Sequence, residues 1–492
     1  MDYKKLSKDA LKKMCKSMGL KRYSSLKVSE LKDLIEANIK PNPTTEIVTE
    51  PESIHVEEDD GDGDDPDENE DEDNGSDYMM SHSSNTNDMT NSVPIPTSTT
   101  QSVDLSTYTF IDLFCGIGGF HQALHKMGAT CVLACDIDSS CREVYKNNYG
   151  IEPVNNVKNI DEHNMPDFDI LCAGFPCQAF SNGGKKKCFE DDRGLLFDEI
   201  IRIAKVKNPK FMFLENVKHI LKVSNGEVIT YIKHKIASIG YHLQIFQISP
   251  HNYGIPQQRE RVYFVCIRND IYNGRNIQLP IYTGKMEFQK FLDNKEDINE
   301  KYFIKNDILN VLEYWDEMIK QFEVGEKISP TIMMNDAFNT YTETEFDNFP
   351  NWKKEYISKN TPLIEKYRSQ FTEWYNKYSY LLKKREIYGK LEWQTGLIKN
   401  DESIFNHFIQ IRQSGIRVKK GHYFPTLVAI SQIPIYGKEK RYITPRECAR
   451  LQSFPDSFQL STDDKKSYKQ LGNSVNVDNV YTVISSTLKN YI

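Results

Sequence analysis

The sequence predicts an α/β fold: a doubly wound sheet with helices on both faces and a smaller second domain attached. Three observations predict it. Between 108 and 268, short apolar runs alternate with helical patterns. The runs are almost continuously apolar, as in strands buried on both faces of a parallel sheet. The first run ends in a glycine-rich turn that opens a helix, and the second ends in an acidic residue.

The runs, in order, are YTFIDLF (108–114), CVLACDID (131–138), FDILCAGF (168–175), FMFLENV (211–217) and VYFVCI (262–267). After the first comes Cys115-Gly116-Ile117-Gly118-Gly119, with a helix expected from Phe120. A glycine turn from strand to helix lets backbone N–H groups approach an anionic or polar ligand closely. Asp136 stands 20 positions after Gly116. A doubly wound, Rossmann-like fold places there the acid that takes both ribose hydroxyls. The pattern points to an adenosine-bearing cofactor and does not separate a dinucleotide from S-adenosylmethionine.

The third run leads into Gly174-Phe175-Pro176-Cys177, followed by Gly183-Gly184 and Lys185–Lys187. A free cysteine is usually a small buried hydrophobe. A thiol directly after a proline, at a strand end and ahead of a glycine-rich loop, suits a nucleophile instead. The fourth run puts Glu215 at its end, and QQRER (257–261) carries Arg259 and Arg261 two apart, expected on one strand face. Strand ends converge in the crevice of an α/β sheet, and neighbouring arginines favour a thiolate.

Outside this stretch the texture changes. Residues 281–408 are charged and aromatic and hold all four tryptophans, at 315, 352, 374 and 393; within them 286–400 is expected to form helices packed as a core extension. From 441 the chain is again of core texture. At the other end, residues 1–40 carry 11 Lys/Arg against 5 Asp/Glu and show two short helical patterns, with Gly19 ending the first and Ser29 capping the second. They resemble SAP-like nucleic-acid-binding modules, a protein-binding helical hairpin being the alternative. Residues 41–104 carry 19 Asp/Glu and no Lys/Arg, which predicts an extended disordered tether or, alternatively, a DNA mimic. The net charge of −8 therefore conceals a basic head and a mildly basic body, and that segregation points to nucleic acid. Ten scattered cysteines without paired spacing predict reduced thiols and no zinc site. A charged opening and no apolar run of membrane length predict a soluble, intracellular chain without membrane contact.

The motifs DLFCGIGGF, ACDID, AGFPCQAFS, ENV, NYGIPQQRERVYFV, TPRECARLQSFPDSF and QLGNSV, in this order, resemble the DNA cytosine-C5 methyltransferases of the compact restriction-modification type. The resemblance spans about 105–268 and 408–490. It implies S-adenosyl-L-methionine as cofactor, double-stranded DNA as substrate, a monomer, no metal, and a possible companion restriction endonuclease. Cys177 matches the nucleophile, Glu215 the carboxylate on the cytosine edge, and Arg259 and Arg261 the pair that steadies the base. Phe114, Gly116, Gly118, Gly119, Asp136, Gly174, Pro176, Asn473, Ser474 and Val475 match the cofactor pocket. Asn156 falls where the family often has an aspartate on the adenine amino group. Gln178, Ser181 and Lys185 would face DNA, as would Arg412, Gln413, Arg417 and Thr426 in the target-recognition region. The expected organisation is a helical module at 1–40, a linker at 41–104, a catalytic domain at 105–280, a target-recognition domain at 281–440, and closing motifs at 441–492. A tRNA cytosine-C5 methyltransferase and a catalytically idle DNA-binding protein are the alternatives.

Overall fold

The computed structural model describes residues 103–492 except 177–194, 283, 285, 335, 340, 396–401, 420–422 and 429–431, together with the helical Val28 and Leu31. The expectations for the N-terminal module and the acidic tether thus lie outside the described residues.

Strands β1 (Thr109–Leu113), β2 (Thr130–Cys135), β3 (Ile170–Gly174), β4 (Phe211–Val217), β5 (Tyr241–Ile248) and β6 (Arg261–Arg268) form one sheet in the order β2-β1-β3-β4-β6-β5. The first four are mutually parallel. Between them run helices α1 (Gly119–His125), α2 (Ser139–Tyr149), α3 (Leu195–Lys207) and α4 (Glu227–Ser238). The sheet buries both faces. Phe110, Phe213 and Val265 lie in one core with Phe120 and Leu124 of α1, and Ile111, Leu214 and Phe264 in another with Ile200 of α3 and Ile232 of α4.

Two expectations change. The VYFVCI run is antiparallel to both of its neighbours, β4 and β5. An interior strand is apolar on both faces whatever its direction, so composition alone did not reveal this. The edge strand β5, YHLQIFQI, has only Tyr241 and Ile248 fully buried, and its polar residues hid it among the apolar runs.

A second sheet joins β7 (Ile328–Met333), β8 (Lys390–Trp393), β9 (Phe408–Arg412), β10 (Gly415–Lys419), β11 (Ile435–Tyr436) and β12 (Arg441–Tyr442) in the order β12-β11-β9-β10-β8-β7. Only β8 and β10 pair in parallel. Helices α5 (Asn306–Ile319), α6 (Glu343–Asp347), α7 (Asn351–Lys366) and α8 (Arg368–Leu382) lie in the same stretch. Trp315, Trp374 and Trp393 are buried in the core between sheet and helices, as the packed-extension reading expects. The chain then returns through α9 (Pro445–Leu451), α10 (Asp464–Asn473) and α11 (Val477–Leu488). Thr444 caps α9 in a box with Glu447, and Pro445 at the first position needs no amide partner there. Apolar residues of α11 (Val480, Val483, Ile484) join the core beside α1, which brings the C-terminal segment onto the first sheet.

Candidate active site

The glycine turn is bent by its own residues. Phe114, Gly116 and Gly118 all have positive φ, of 54°, 52° and 90°. For phenylalanine this is a strained conformation, held by the surrounding structure. A Cβ on Gly116 would meet nothing within 4 Å, whereas one on Gly119 would lie 2.5 Å from Val475 Cγ2. One glycine leaves an open face, and the other permits Ser474-Val475 to press against the start of α1.

Asp136 ends β2 beside this turn. Its Oδ2 accepts the Gly116 N–H at 2.8 Å and its Oδ1 the Asp138 N–H at 2.8 Å. Burial raises its pKa, and the two backbone donors oppose the rise. The next side chain, Ile137, is 79% exposed. It lies directly after Asp136, the acid expected to take ribose hydroxyls, and could have been noticed in the sequence. Asn156 begins a short 3-10 turn and accepts the Lys158 N–H at 3.0 Å through Oδ1. That oxygen, expected to face adenine, is already a cap and has one lone pair to spare.

Beneath the turn, Asp112 of β1 is fully buried and neither carboxylate oxygen has a hydrogen-bond partner. Burial, with the Asp136 charge behind it, lifts its pKa well above the carboxylate range. The apolar run around it concealed this residue.

The chemistry side assembles at the ends of β3 and β4. Gly174 pairs with Glu215 across the two parallel strands, and Pro176 emerges exposed just beyond. Cys177, Gln178, Ser181 and Lys185 lie outside the described residues. Glu215 is buried, with Oε1 3.3 Å from Arg261 Nε. Burial raises its pKa, and Arg261 followed by Arg259 pulls it back. Asn216 donates to the Phe175 carbonyl at 2.8 Å and so ties the end of β4 to the strand that leads to Cys177.

The guanidinium of Arg259 is occupied by backbone carbonyls. The residue precedes β6 rather than sharing a strand face with Arg261, and its amide donates to Ser249 Oγ at 2.8 Å. Its buried guanidinium donates to the carbonyls of Leu427 (2.6 Å), Gly472 (2.7 Å) and Ser474 (2.9 Å). It therefore clamps three chain segments, and Arg261 alone of the pair meets Glu215. Asn473 is exposed and precedes the clamped Ser474.

On the second sheet, Arg412 and Arg417 are buried. Arg412 Nε donates to Gln432 Oε1 at 3.2 Å, and Arg417 Nε lies 3.0 Å from Glu392 Oε2, close but poorly aligned for a hydrogen bond. Both are held within the sheet in this structure rather than presented outward. Gln413 is exposed at the tip of the β9–β10 hairpin. Thr426 Oγ1 donates to the Gln258 carbonyl at 2.7 Å, which fastens the Thr426-Leu427 pair to the QQRER segment.

Among the described residues no helix is long and apolar enough to cross a membrane. Residues 108–489 match the C-5 cytosine-specific DNA methylase family. The type II methyltransferase M.HhaI of Haemophilus parahaemolyticus is 32% identical over 371 residues, covering 75% of this chain and 91% of that protein. M1.ScrFI of Lactococcus lactis subsp. cremoris is 30% identical over 386 residues, covering 78% of each. M.BanI of Aneurinibacillus aneurinilyticus is 30% identical over 427 residues, covering 78% of this chain and 96% of that protein. With a family match spanning both sheets and the returning C-terminal helices, this chain belongs to the C-5 cytosine-specific DNA methylases.

Proposed function

We propose that the chain methylates carbon 5 of cytosine at a specific sequence in double-stranded DNA, with S-adenosyl-L-methionine as methyl donor. The observation that carries this is the buried Glu215–Arg261 pair, set beside the strand end that leads through Pro176 to Cys177. In this reading 105–280 with 441–492 is the catalytic part and 281–440 the target-recognition part, acting as a monomer.

The residues around the glycine turn fit the cofactor. Gly116 leaves the open face that a close-approaching ligand needs. Asp136 keeps a lone pair on each oxygen for ribose hydroxyls, and exposed Ile137 offers an apolar cover for a purine ring. Phe114 and Asn156 would hold the adenine, and Gly174, Pro176, Asn473, Ser474 and Val475 the methionine side. When bound, S-adenosylmethionine supplies a methyl group on a positively charged sulfur.

Cytosine C5 is a poor nucleophile. The Cys177 thiolate adds to C6, and the electron pair of the 5,6 double bond becomes available at C5. Charge that develops toward N3 meets the Glu215 carboxyl, whose pKa burial raises while Arg261 and then Arg259 pull it back. Arg261 orients that carboxyl. After C5 has taken the methyl group, solvent water takes the C5 proton, the C–H electron pair re-forms the 5,6 double bond, and the C6–sulfur bond breaks to return Cys177 as a thiolate. The base must leave the duplex stack for C6 to be reached, and Gln178, Ser181 and Lys185 would meet the DNA.

The test is to incubate the full chain with methyl-labelled S-adenosylmethionine and either duplex DNA or tRNA. Label should enter 5-methylcytosine in duplex DNA alone. Cys177→Ser should abolish incorporation while DNA binding persists, because a hydroxyl is a far weaker nucleophile than a thiolate. Label in tRNA, or undiminished transfer by the serine variant, would overturn the reading.

A further inference from the structure

Tyr149 closes α2, and its ring lies against the glycine turn. A Cβ on Gly118 would come within 2.3 Å of Tyr149 Cε2, so only a glycine lets the ring approach this closely. The Tyr149 hydroxyl donates to the Gly118 carbonyl at 3.0 Å. That carbonyl also accepts the first backbone bond of α1, from the Gln122 N–H at 2.8 Å. Gln122 Oε1 lies 3.2 Å from the same hydroxyl and shares its single proton.

The ring itself has little freedom. It stacks on the His121 imidazole at 3.7 Å and 16°, and meets the Tyr145 ring edge-on at 4.8 Å and 67°. His121 is held in turn by Tyr145, whose hydroxyl lies 2.7 Å from Nδ1, and burial pushes the imidazole pKa down to about 3, so the stacked ring is neutral. The neighbouring Asn148 exchanges two hydrogen bonds with the backbone of Gln459, at 2.9 Å and 2.8 Å. The end of α2 is thus fastened both to α1 and to the returning C-terminal segment.

The glycine turn is consequently pinned at three points. Asp136 Oδ2 holds the Gly116 N–H, the Cys115 carbonyl holds the Gly118 N–H at 2.8 Å, and the Tyr149 hydroxyl holds the Gly118 carbonyl. The first pin comes from the acid expected to take the ribose, and the second is internal to the turn. Tyr149 supplies the third from a helix end that is itself anchored. Glycine loses more backbone freedom on ordering than any other residue, so a turn of this kind needs such support. A ligand that requires one shape of the turn binds with an affinity reduced by the fraction of molecules that hold it.

We propose that Tyr149 is a positioning residue for the cofactor: through the Gly118 carbonyl, its hydroxyl holds the glycine turn in the shape that receives the adenosyl group, and so sets cofactor affinity and not the chemical step. This rests on the reading of the turn as the S-adenosylmethionine site.

Tyr149→Phe keeps the ring and its stacking and removes only the hydroxyl. Calorimetric titration of the full chain with S-adenosylhomocysteine should give a dissociation constant about fivefold above the parent's, as the loss of one neutral hydrogen bond implies. The amides of 115–119 should exchange with deuterium faster in the ligand-free variant than in the ligand-free parent, and equally in the two saturated proteins. At saturating cofactor, kcat and the KM for duplex DNA should stay within twofold of the parent. Gln122→Leu, which leaves the hydroxyl proton wholly to Gly118, should bind S-adenosylhomocysteine within twofold of the parent. A lowered melting temperature in Tyr149→Phe with an unchanged dissociation constant would overturn the proposal, because the hydroxyl would then serve stability alone. Equal weakening by Gln122→Leu would also overturn it, placing the effect in α1 and not in the turn. A parent chain that binds neither S-adenosylhomocysteine nor S-adenosylmethionine would instead overturn the underlying cofactor reading, and this role of Tyr149 with it.

Discussion

The two sheets bury arginine for different ends. In the first, parallel strands β3 and β4 finish side by side, so Gly174 and Glu215 are brought together by topology, and Arg261 from the antiparallel β6 completes the pair. In the second, Arg412 and Arg417 project from adjacent antiparallel strands; Arg412 donates to the Gln432 amide oxygen and Arg417 lies against the Glu392 carboxylate. The lesson is that charged residues at strand ends and charged residues along strands deserve different readings. An end is open to a ligand because the ladder stops there. A position along a strand faces whatever covers the sheet.

The contrast can be broken experimentally, from the largest effect down. Glu215→Gln should slow single-turnover methyl transfer by ~100-fold or more, the lower end of what one proton-transfer group contributes, and leave cofactor affinity intact. A loss confined to cofactor affinity would place Glu215 on the wrong ligand. Arg259→Met should strand three carbonyls and cost about 3 kcal/mol or more in urea unfolding, at ~1–3 kcal/mol for each buried group left unpaired. If it instead folds normally but loses activity, the clamp is a reading error and Arg259 faces the base. Arg417→Met should cost less, on the order of 1–3 kcal/mol, because Glu392 alone is left behind. Its recognised sequence should be unchanged; an altered site would restore Arg417 to base readout.

The smallest expected effect is a gain. The folded-state pKa of Asp112 is raised, so its contribution to stability is fully present below the ordinary carboxylate value of 3.8 and is lost as pH rises through the folded value. Asp112→Asn removes that loss. The melting temperature of the variant should exceed that of the parent by more at pH 8 than at pH 5, by ~2–4 °C for each 1 kcal/mol in a domain of this size. An advantage that shrinks with rising pH would contradict the assignment.

Much of the first sheet was legible because its signals were redundant. The run, the glycine turn and Asp136 each implied the others, and Glu215 closed an apolar run where a carboxylate has no structural reason to be. Strand direction was not legible, since β6 is apolar on both faces wherever it points. Arg259 was misread because a two-residue spacing implies one strand face only inside a strand, and β6 begins at Arg261. Its true partners are backbone carbonyls, which carry no side-chain signature. Ile137 and Asp112 were hidden by ordinary hydrophobic surroundings that only solvent exposure and unpaired oxygens distinguish. The second sheet offered less, because β11 and β12 are two residues each and the parallel pairing of β8 with β10 skips over β9, which no local pattern announces.

The Arg259 clamp also sets a timetable for synthesis. Its three carbonyl partners lie 168, 213 and 215 residues further along the chain. A nascent polypeptide can build most of the first sheet as it leaves the ribosome, since β1 to β6 end at Arg268. It cannot seat Ser474-Val475 against Gly119 until those residues, more than 200 positions beyond β6, have emerged. Until then the guanidinium is without its partners and the glycine turn lacks one wall. A chain cut short before residue 472 would therefore carry both the cysteine and the glutamate yet lack two of the three carbonyls that seat Arg259 and the wall that closes on Gly119.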